Sequence, residues 1–270
     1  MPELPEVETI VRGLAHKIVG ETIARISVTL KKIAVAPKGI NFERALIGEK
    51  IADVSRRGKY CVIELSSGRK LVTSLRMTGR LVVLESGDAP YPYTHVELGF
   101  ESGNRLAFSE VRQFGRMRLV EPNEAWDGEL GVEPLTKAFT PERFLSMLSG
   151  RTTPIKVLLL DQRRVAGIGN IYACEALWEA RIRPDRPART LTAPATRRLH
   201  EAIVDVLHRA IQMRGTSVDD YVDAEGLKGG FQNSLAVYGR SGKPCLRCGR
   251  TIVRTVLGQR GTWWCGGCQR

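Results

Sequence analysis

Two short cysteine pairs, Cys245-Leu246-Arg247-Cys248 and Cys265-Gly266-Gly267-Cys268, stand 16 residues apart near the end of the chain. Four thiolates at this spacing close a tetrahedron around one zinc ion and leave no open coordination position, so such a site is structural. A module of roughly 30 residues cannot be held by apolar burial alone, and metal binding supplies its folding free energy. Two nested disulfides are the other reading of four cysteines, and a reducing cytoplasm opposes it. Between the pairs, residues 251–256 and 260–264 alternate as the strands of a hairpin. That places Arg260 beside the turn, facing either a phosphate or plain solvent. Cys61 and Cys174 lie in apolar surroundings and read as buried thiols.

The chain has 41 Lys and Arg against 29 Asp and Glu, a formal net charge of +12. The imbalance is local: no acidic residue follows Glu225, whereas Arg240, Lys243, Arg247, Arg250, Arg254, Arg260 and Arg270 do. Such a distribution favours a polyanionic partner, nucleic acid first, over small acidic metabolites. No apolar run approaches the roughly 18 residues of a membrane span, and the acidic start lacks the apolar core of a signal peptide, so a cytoplasmic location is expected.

The first residues, Met1-Pro2-Glu3-Leu4-Pro5-Glu6-Val7-Glu8, carry a second reactive element. Trimming of Met1 would leave Pro2 with a secondary amine that titrates near pH ~8 and attacks an aldehyde-like carbon to give an iminium ion. Glu3 is close enough to act as acid or base, and burial or Glu6 would raise its pKa. The same residues also start a helix: Val7, Ile10, Val11, Leu14 and Ile18 keep helical spacing up to Gly20, and proline and glutamate suit a first turn.

Residues 22 to about 122 then read as short strands separated by turns: 23–28, 51–54, 60–65, 70–74, 80–84, 95–100, 105–108 and 116–120. This predicts a β-sandwich with the first helix packed on it. Residues 123–139 read as a linker. Helical runs follow from Thr140-Pro141-Glu142, at 154–161, at 170–181, and at 194–213 with Leu199, Ile203, Val206, Leu207 and Ile211 facing inward. Gly167-Ile168-Gly169-Asn170 opens one helix, either as a phosphate-binding turn or as a plain helix-helix corner. The class is therefore α+β and multidomain, with domains at 1–122, 140–235 and 236–270.

With these motifs in hand, the whole chain resembles the bacterial formamidopyrimidine-DNA glycosylases. The resemblance rests on residues 2–9, Arg57-Gly58-Lys59-Tyr60, Arg76-Met77-Thr78-Gly79, Arg112-Gln113-Phe114-Gly115, residues 167–173, Gly215-Thr216-Ser217, Val237-Tyr238-Gly239-Arg240 and the cysteine ribbon, all in family order. It implies an N-terminal helix plus β-sandwich, a helix-two-turn-helix domain, a C-terminal zinc finger holding one Zn2+, and damaged double-stranded DNA bound by a monomer. It implies that Pro2 attacks the sugar C1′, that Glu3 protonates the opening sugar, and that Lys59 and Arg260 serve β- and δ-elimination. Met77, Arg112 and Phe114 would fill the gap left by the everted base, although without the resemblance Met77 and Phe114 read as ordinary core residues. Asn170 would hold backbone phosphate, and 222–231 would close over the base or serve as an ordinary surface loop.

Departures from the family pattern fall at Tyr93, where a DNA-touching histidine is usual, at Arg151-Thr152-Thr153, where lysines are usual, and at Ser109-Glu110-Val111-Arg112, where Asp-x-Arg is usual. Tyr93 and Arg151 are counted among the expected DNA-contacting residues, while the catalytic set is left intact. The expected activity is excision of oxidised purines followed by strand cleavage. An endonuclease VIII-like pyrimidine glycosylase is the alternative, and a non-catalytic damage-binding protein lies further off.

Overall fold

The computed structural model describes residues 2–217, 221–224 and 226–270, in two compact units. Met1 and Glu225, on which the trimming and loop expectations partly rest, lie outside the described residues.

The first unit comprises residues up to Gly128 together with Met213–Gly230. Helix α1 (Leu4–Ile18) buries Val7, Ile10, Val11, Leu14 and Ile18, the stripe expected from the sequence. Nine strands follow: β1 (Ile23–Val28), β2 (Ala34–Val35), β3 (Ile51–Arg57), β4 (Tyr60–Leu65), β5 (Lys70–Ser74), β6 (Gly79–Leu84), β7 (Thr94–Phe100), β8 (Arg105–Glu110) and β9 (Arg116–Val120). They form a four-stranded sheet, β1-β7-β8-β6, and a five-stranded sheet, β2-β9-β5-β4-β3. One core takes Leu98 and Phe108 from the first sheet, Ile63 and Leu119 from the second, and the apolar face of α1. Tyr221 and Ala224 join this core, so the segment following residue 212 packs with the N-terminal sheets.

The second unit contains Glu129–Gln212 and Phe231–Arg270. Its helices are α2 (Pro141–Leu148), α3 (Ile155–Leu160), α4 (Asn170–Glu179) and α5 (Ala193–Gln212). Thr140 caps α2 by accepting from the Arg143 N–H. Helix α4 is buried from Ile171 to Leu177, and the one charged side chain in that run, Glu175, is satisfied by accepting from the N–H groups of Ala236, Val237 and Tyr238. Helix α5 buries Leu199, Ile203, Val206 and Leu207, whereas Ile211 is only half-buried at its last turn. The ribbon adds an antiparallel hairpin, β10 (Ile252–Leu257) and β11 (Arg260–Cys265).

Three local features go beyond the sequence reading. Strand β3 runs three residues past Val54, because Ser55, Arg56 and Arg57 continue to pair with β4. Strand β2 escapes sequence reading, being two residues long and paired in parallel to β9. The stretch 123–139 is also packed at both ends: Trp126 lies edge-on to Tyr60 in the first unit, and Phe139 stacks on His200 in the second.

Candidate active site and nucleic-acid interface

Pro2 and Glu3 are buried at the start of α1, with Glu3 at the N-cap. The Glu6 carboxylate accepts from the Glu3 N–H at 2.8 Å and from the Thr216 N–H at 2.7 Å. One buried acid thereby ties the start of the helix to the Gly215–Ser217 segment. Gly215 has φ +80°, and a Cβ there would stand 2.9 Å from Glu6 Oε1, so only glycine allows this approach.

Lys59 occupies the two-residue turn between β3 and β4. Gly58 adopts φ +57°, the glycine-first pattern of a type II′ hairpin. Arg56 steadies this turn: its Nη1 donates to the Gly58 carbonyl at 3.0 Å and its Nε to Glu8 on α1 at 2.9 Å. The helix carrying Pro2 and the turn carrying Lys59 are thus joined by a single guanidinium that sequence reasoning did not single out.

Met77, Arg112 and Phe114 come together on the surface of the first unit. Met77 is 42% and Phe114 53% exposed, which excludes the core alternative for both. The Arg112 guanidinium donates to Met77 Sδ at 3.1 Å and lies 4.9 Å above the Phe114 ring. Glu110 organises the group. Fully buried, it accepts from the Thr78 hydroxyl, from the Arg112 N–H at 3.1 Å and from the Gly115 N–H at 2.5 Å. Tyr93 is 64% exposed with φ +57°, and its carbonyl accepts from the Glu110 N–H. The unusual Ser109-Glu110 segment therefore supplies the carboxylate on which the exposed trio is hung.

A second group forms in the helical unit. Asn170 opens α4 after Gly169, and its Nδ2 donates to the Gly261 carbonyl at 3.0 Å. The same carbonyl accepts from Lys156 Nζ at 3.0 Å, and that buried ammonium also donates to Thr262 Oγ1 at 2.6 Å. Arg260, exposed beside the β10–β11 turn, is adjacent to a backbone held from both α3 and α4. Gln162 clamps the preceding turn by accepting from the Gly167 N–H and donating to the Ile168 carbonyl. Asn170 and Arg260 are brought together, while Arg151 stands apart, with its backbone bonded to Leu148 and Arg189. Lys156 was not found by sequence reasoning, since a lysine at the start of an apolar helix reads as solvent-facing.

The sulfurs of Cys245, Cys248, Cys265 and Cys268 lie within 4.8 Å of one another. Cys245 to Cys268 is 3.8 Å and Cys248 to Cys265 is 3.5 Å, against the ~3.8 Å edge of a tetrahedron with Zn–S near 2.3 Å. Burial and the neighbouring sulfurs push Cys268 up to about 12. Burial also opposes ionisation of Cys245, but the Arg247 N–H and the Trp178 indole bring it down to about 6. Sulfurs this crowded become four thiolates only around a cation, and the set fits one structural zinc. Cys61, pushed up to about 12 by burial alone, is an inert thiol.

The chain matches three family models in succession: the formamidopyrimidine-DNA glycosylase N-terminal domain over residues 1–117, the H2TH domain of the same enzymes over 130–222, and the zinc finger found in FPG and IleRS over 242–270. It is 47% identical to a formamidopyrimidine-DNA glycosylase of Pelotomaculum thermopropionicum, covering 100% of this chain and 99% of the relative. It is 46% identical to that of Heliobacterium modesticaldum over 100% of both. Among solved structures, the MutM (FPG) protein of Thermus thermophilus aligns with a TM-score of 0.89 at 40% identity, covering 99% of this chain and 98% of that one. Lactococcus lactis FPG G226P bound to a Fapy-dG containing DNA aligns at 0.93 and 34% identity over 100% of both chains. With the helix-borne Pro2-Glu3, the exposed trio and the four-cysteine ribbon in family order along the full length, the chain belongs to the formamidopyrimidine-DNA glycosylase family.

Proposed function

We propose that this protein is a bifunctional DNA glycosylase and AP lyase of base excision repair, removing oxidised purines from duplex DNA and then cutting the strand. The observation that carries the reading is the start of α1, where Pro2 and Glu3 are buried side by side and fixed by Glu6. After loss of Met1, the Pro2 nitrogen forms a bond to C1′ of the damaged nucleotide while the C1′–base bond breaks. The proton on the Pro2 nitrogen passes to the departing base, and Glu3 delivers a proton to O4′ as the C1′–O4′ bond opens, leaving an iminium ion. Lys59 serves β-elimination and Arg260 δ-elimination, each stabilising a departing phosphate. Met77 and Phe114 fill the space of the everted base, and Arg112 faces the orphaned partner. Asn170, Tyr93 and Arg151 hold phosphates.

The zinc holds the ribbon and takes no part in these steps. The protein acts as a monomer in the bacterial cytoplasm, a placement in keeping with there being, among the described residues, no helix long and apolar enough to cross a membrane. A wider substrate range also has support: wild-type Lactococcus lactis FPG, 34% identical with a TM-score of 0.91, is known in complex with an oxidised pyrimidine containing DNA.

Borohydride reduction with a duplex carrying 8-oxoguanine opposite cytosine tests the reading. The protein should become covalently linked to DNA through Pro2, and Pro2→Gly should largely lose this link while keeping duplex affinity. Linkage by the variant at the wild-type rate would overturn the assignment, as would mass spectra showing Met1 retained in fully active protein.

A further inference from the structure

The helical unit contains a basic pocket at the opposite end of α4 from Asn170. Five arginines line it, Arg181, Arg186, Arg198, Arg247 and Arg270, around a volume of about 540 Å3 whose remaining wall includes ribbon residues 248 and 267–268. Helix α4 is ten residues long, so the pocket and Asn170 are about 15 Å apart along its axis at ~1.5 Å per residue.

Two of these arginines are fixed. Arg247 donates to the Trp178 carbonyl at 2.9 Å and stacks 4.0 Å above the Trp178 ring. Arg186 donates to the Thr190 carbonyl at 2.7 Å. The side chains of Arg181, Arg198 and Arg270 have no hydrogen-bond or ion-pair partner among the described residues. Arg181 is further distinguished by its backbone. It ends α4 at φ +60°, with its N–H donating to the Trp178 carbonyl and that of Ile182 to Leu177. Glycine or asparagine is the usual occupant of such a cap, and an arginine there costs about 1 kcal/mol.

Neutralisation of the zinc ribbon does not account for the cluster. Zinc with four thiolates carries about two net negative charges and Glu179 offsets Arg247, leaving a surplus of about two on the five guanidinium groups. The nearby acids are partly committed: Glu179 faces Arg209 and Arg247, and Asp205 pairs with Arg209 at 2.9 Å. Glu201 lines an adjoining hollow with Arg181 and Arg198. Five arginines line this one concavity, three of them with no side-chain partner among the described residues; such a set suits the oxygens of phosphate, and the volume accepts a group of that size.

We propose that this pocket is a second anion site, distinct from the Asn170 and Arg260 group, which binds a phosphate or pyrophosphate group. The group is supplied either by a free polyphosphate or by the backbone of a nucleic-acid segment other than the one at Asn170. The inference is independent of the repair reaction.

Calorimetric titration of the zinc-loaded full chain with inorganic pyrophosphate tests it, on the free protein and on protein cross-linked by borohydride to an abasic duplex. One binding event is expected in both, weakened at least about tenfold in Arg181→Ala/Arg198→Ala. Binding should be unchanged in Lys137→Ala/Arg143→Ala, which removes the same charge elsewhere on this unit, and neither variant should alter cross-linking. Absence of binding, binding lost on cross-linking, or equal weakening in both variants would overturn the proposal. A second short duplex that displaces pyrophosphate from the cross-linked protein identifies nucleic acid as the source, and failure to displace identifies a free polyphosphate. If cross-linking fails while the arginine-dependent titration survives, the repair reading falls and the pocket stands.

Discussion

Glu110 is the residue on which the exposed trio depends, because the Thr78 hydroxyl and the N–H groups of Arg112 and Gly115 all end on its buried carboxylate. Glu110→Ala should cost about 1–3 kcal/mol, the penalty for stranding buried donors, and a lower urea midpoint would show it. Phe114→Ala behaves differently. Its side chain is 53% exposed, so stability should stay within about 0.5 kcal/mol while excision from duplex DNA slows and opening of a preformed abasic site is spared. A variant losing stability and both activities together would mark Phe114 as structural. Apart from the resemblance, Met77 and Phe114 read as core, because apolar identity does not encode the side on which a residue lies. Glu110 was visible only as part of a departure from the family's Asp-x-Arg segment. Its role depends on two turns more than 30 residues apart meeting at one carboxylate, and no local pattern records that meeting.

At the scale of elements, α1 and the β3–β4 turn act as one device through Arg56, which is 9% exposed at the side chain and bridges Glu8 to the Gly58 carbonyl. Arg56→Ala should loosen the turn that presents Lys59, slowing β-elimination more than base release. Equal slowing of both, measured with an intact lesion and with a preformed abasic site, would refute this. The bridge also sets a dependence on pH. Burial works to raise the pKa of Glu8, but hydrogen bonds and charge from Arg56 and Arg12 hold it below the ordinary carboxylate value. A folded pKa below the unfolded one gives stability that is complete above about pH 4.3 and lost as pH falls through the depressed value. Urea midpoints taken from about pH 7 to about pH 3 should therefore fall less steeply in Glu8→Gln than in the parent, and parallel curves would remove Glu8 from the account. The helix itself was legible, since a period near 3.6 and a proline-glutamate start act locally. Strand β2 was not, because a two-residue parallel pairing is decided entirely by β9.

For the whole molecule, the sequence fails where the chain returns to an earlier unit. The described residues between 213 and 230 follow α5 yet belong to the first unit, where Tyr221 and Ala224 enter the core; their apolar character gives no hint of which core receives them. The ribbon was legible throughout, because four cysteines at fixed spacing specify a tetrahedron without long-range information. What the spacing did not disclose is how the ribbon is fastened. The Gly261 carbonyl takes Lys156 from α3 and Asn170 from α4, and a Cβ on Gly258 would stand 2.9 Å from Val157. Zinc removal should therefore do more than unfold a hairpin: it should free Arg260, strand the buried Lys156 ammonium and disturb the start of α4. Chelation is expected to lower duplex affinity at least about tenfold. It should also make the fall of log affinity with log salt shallower by about one, since each lost phosphate contact releases ~0.9 fewer counterions. Borohydride linkage at saturating DNA should persist, because Pro2 and Glu3 are fixed within the first unit. A verified zinc-free protein retaining both affinity and salt slope would show that the ribbon does not hold the strand, leaving Arg260 without a role in binding.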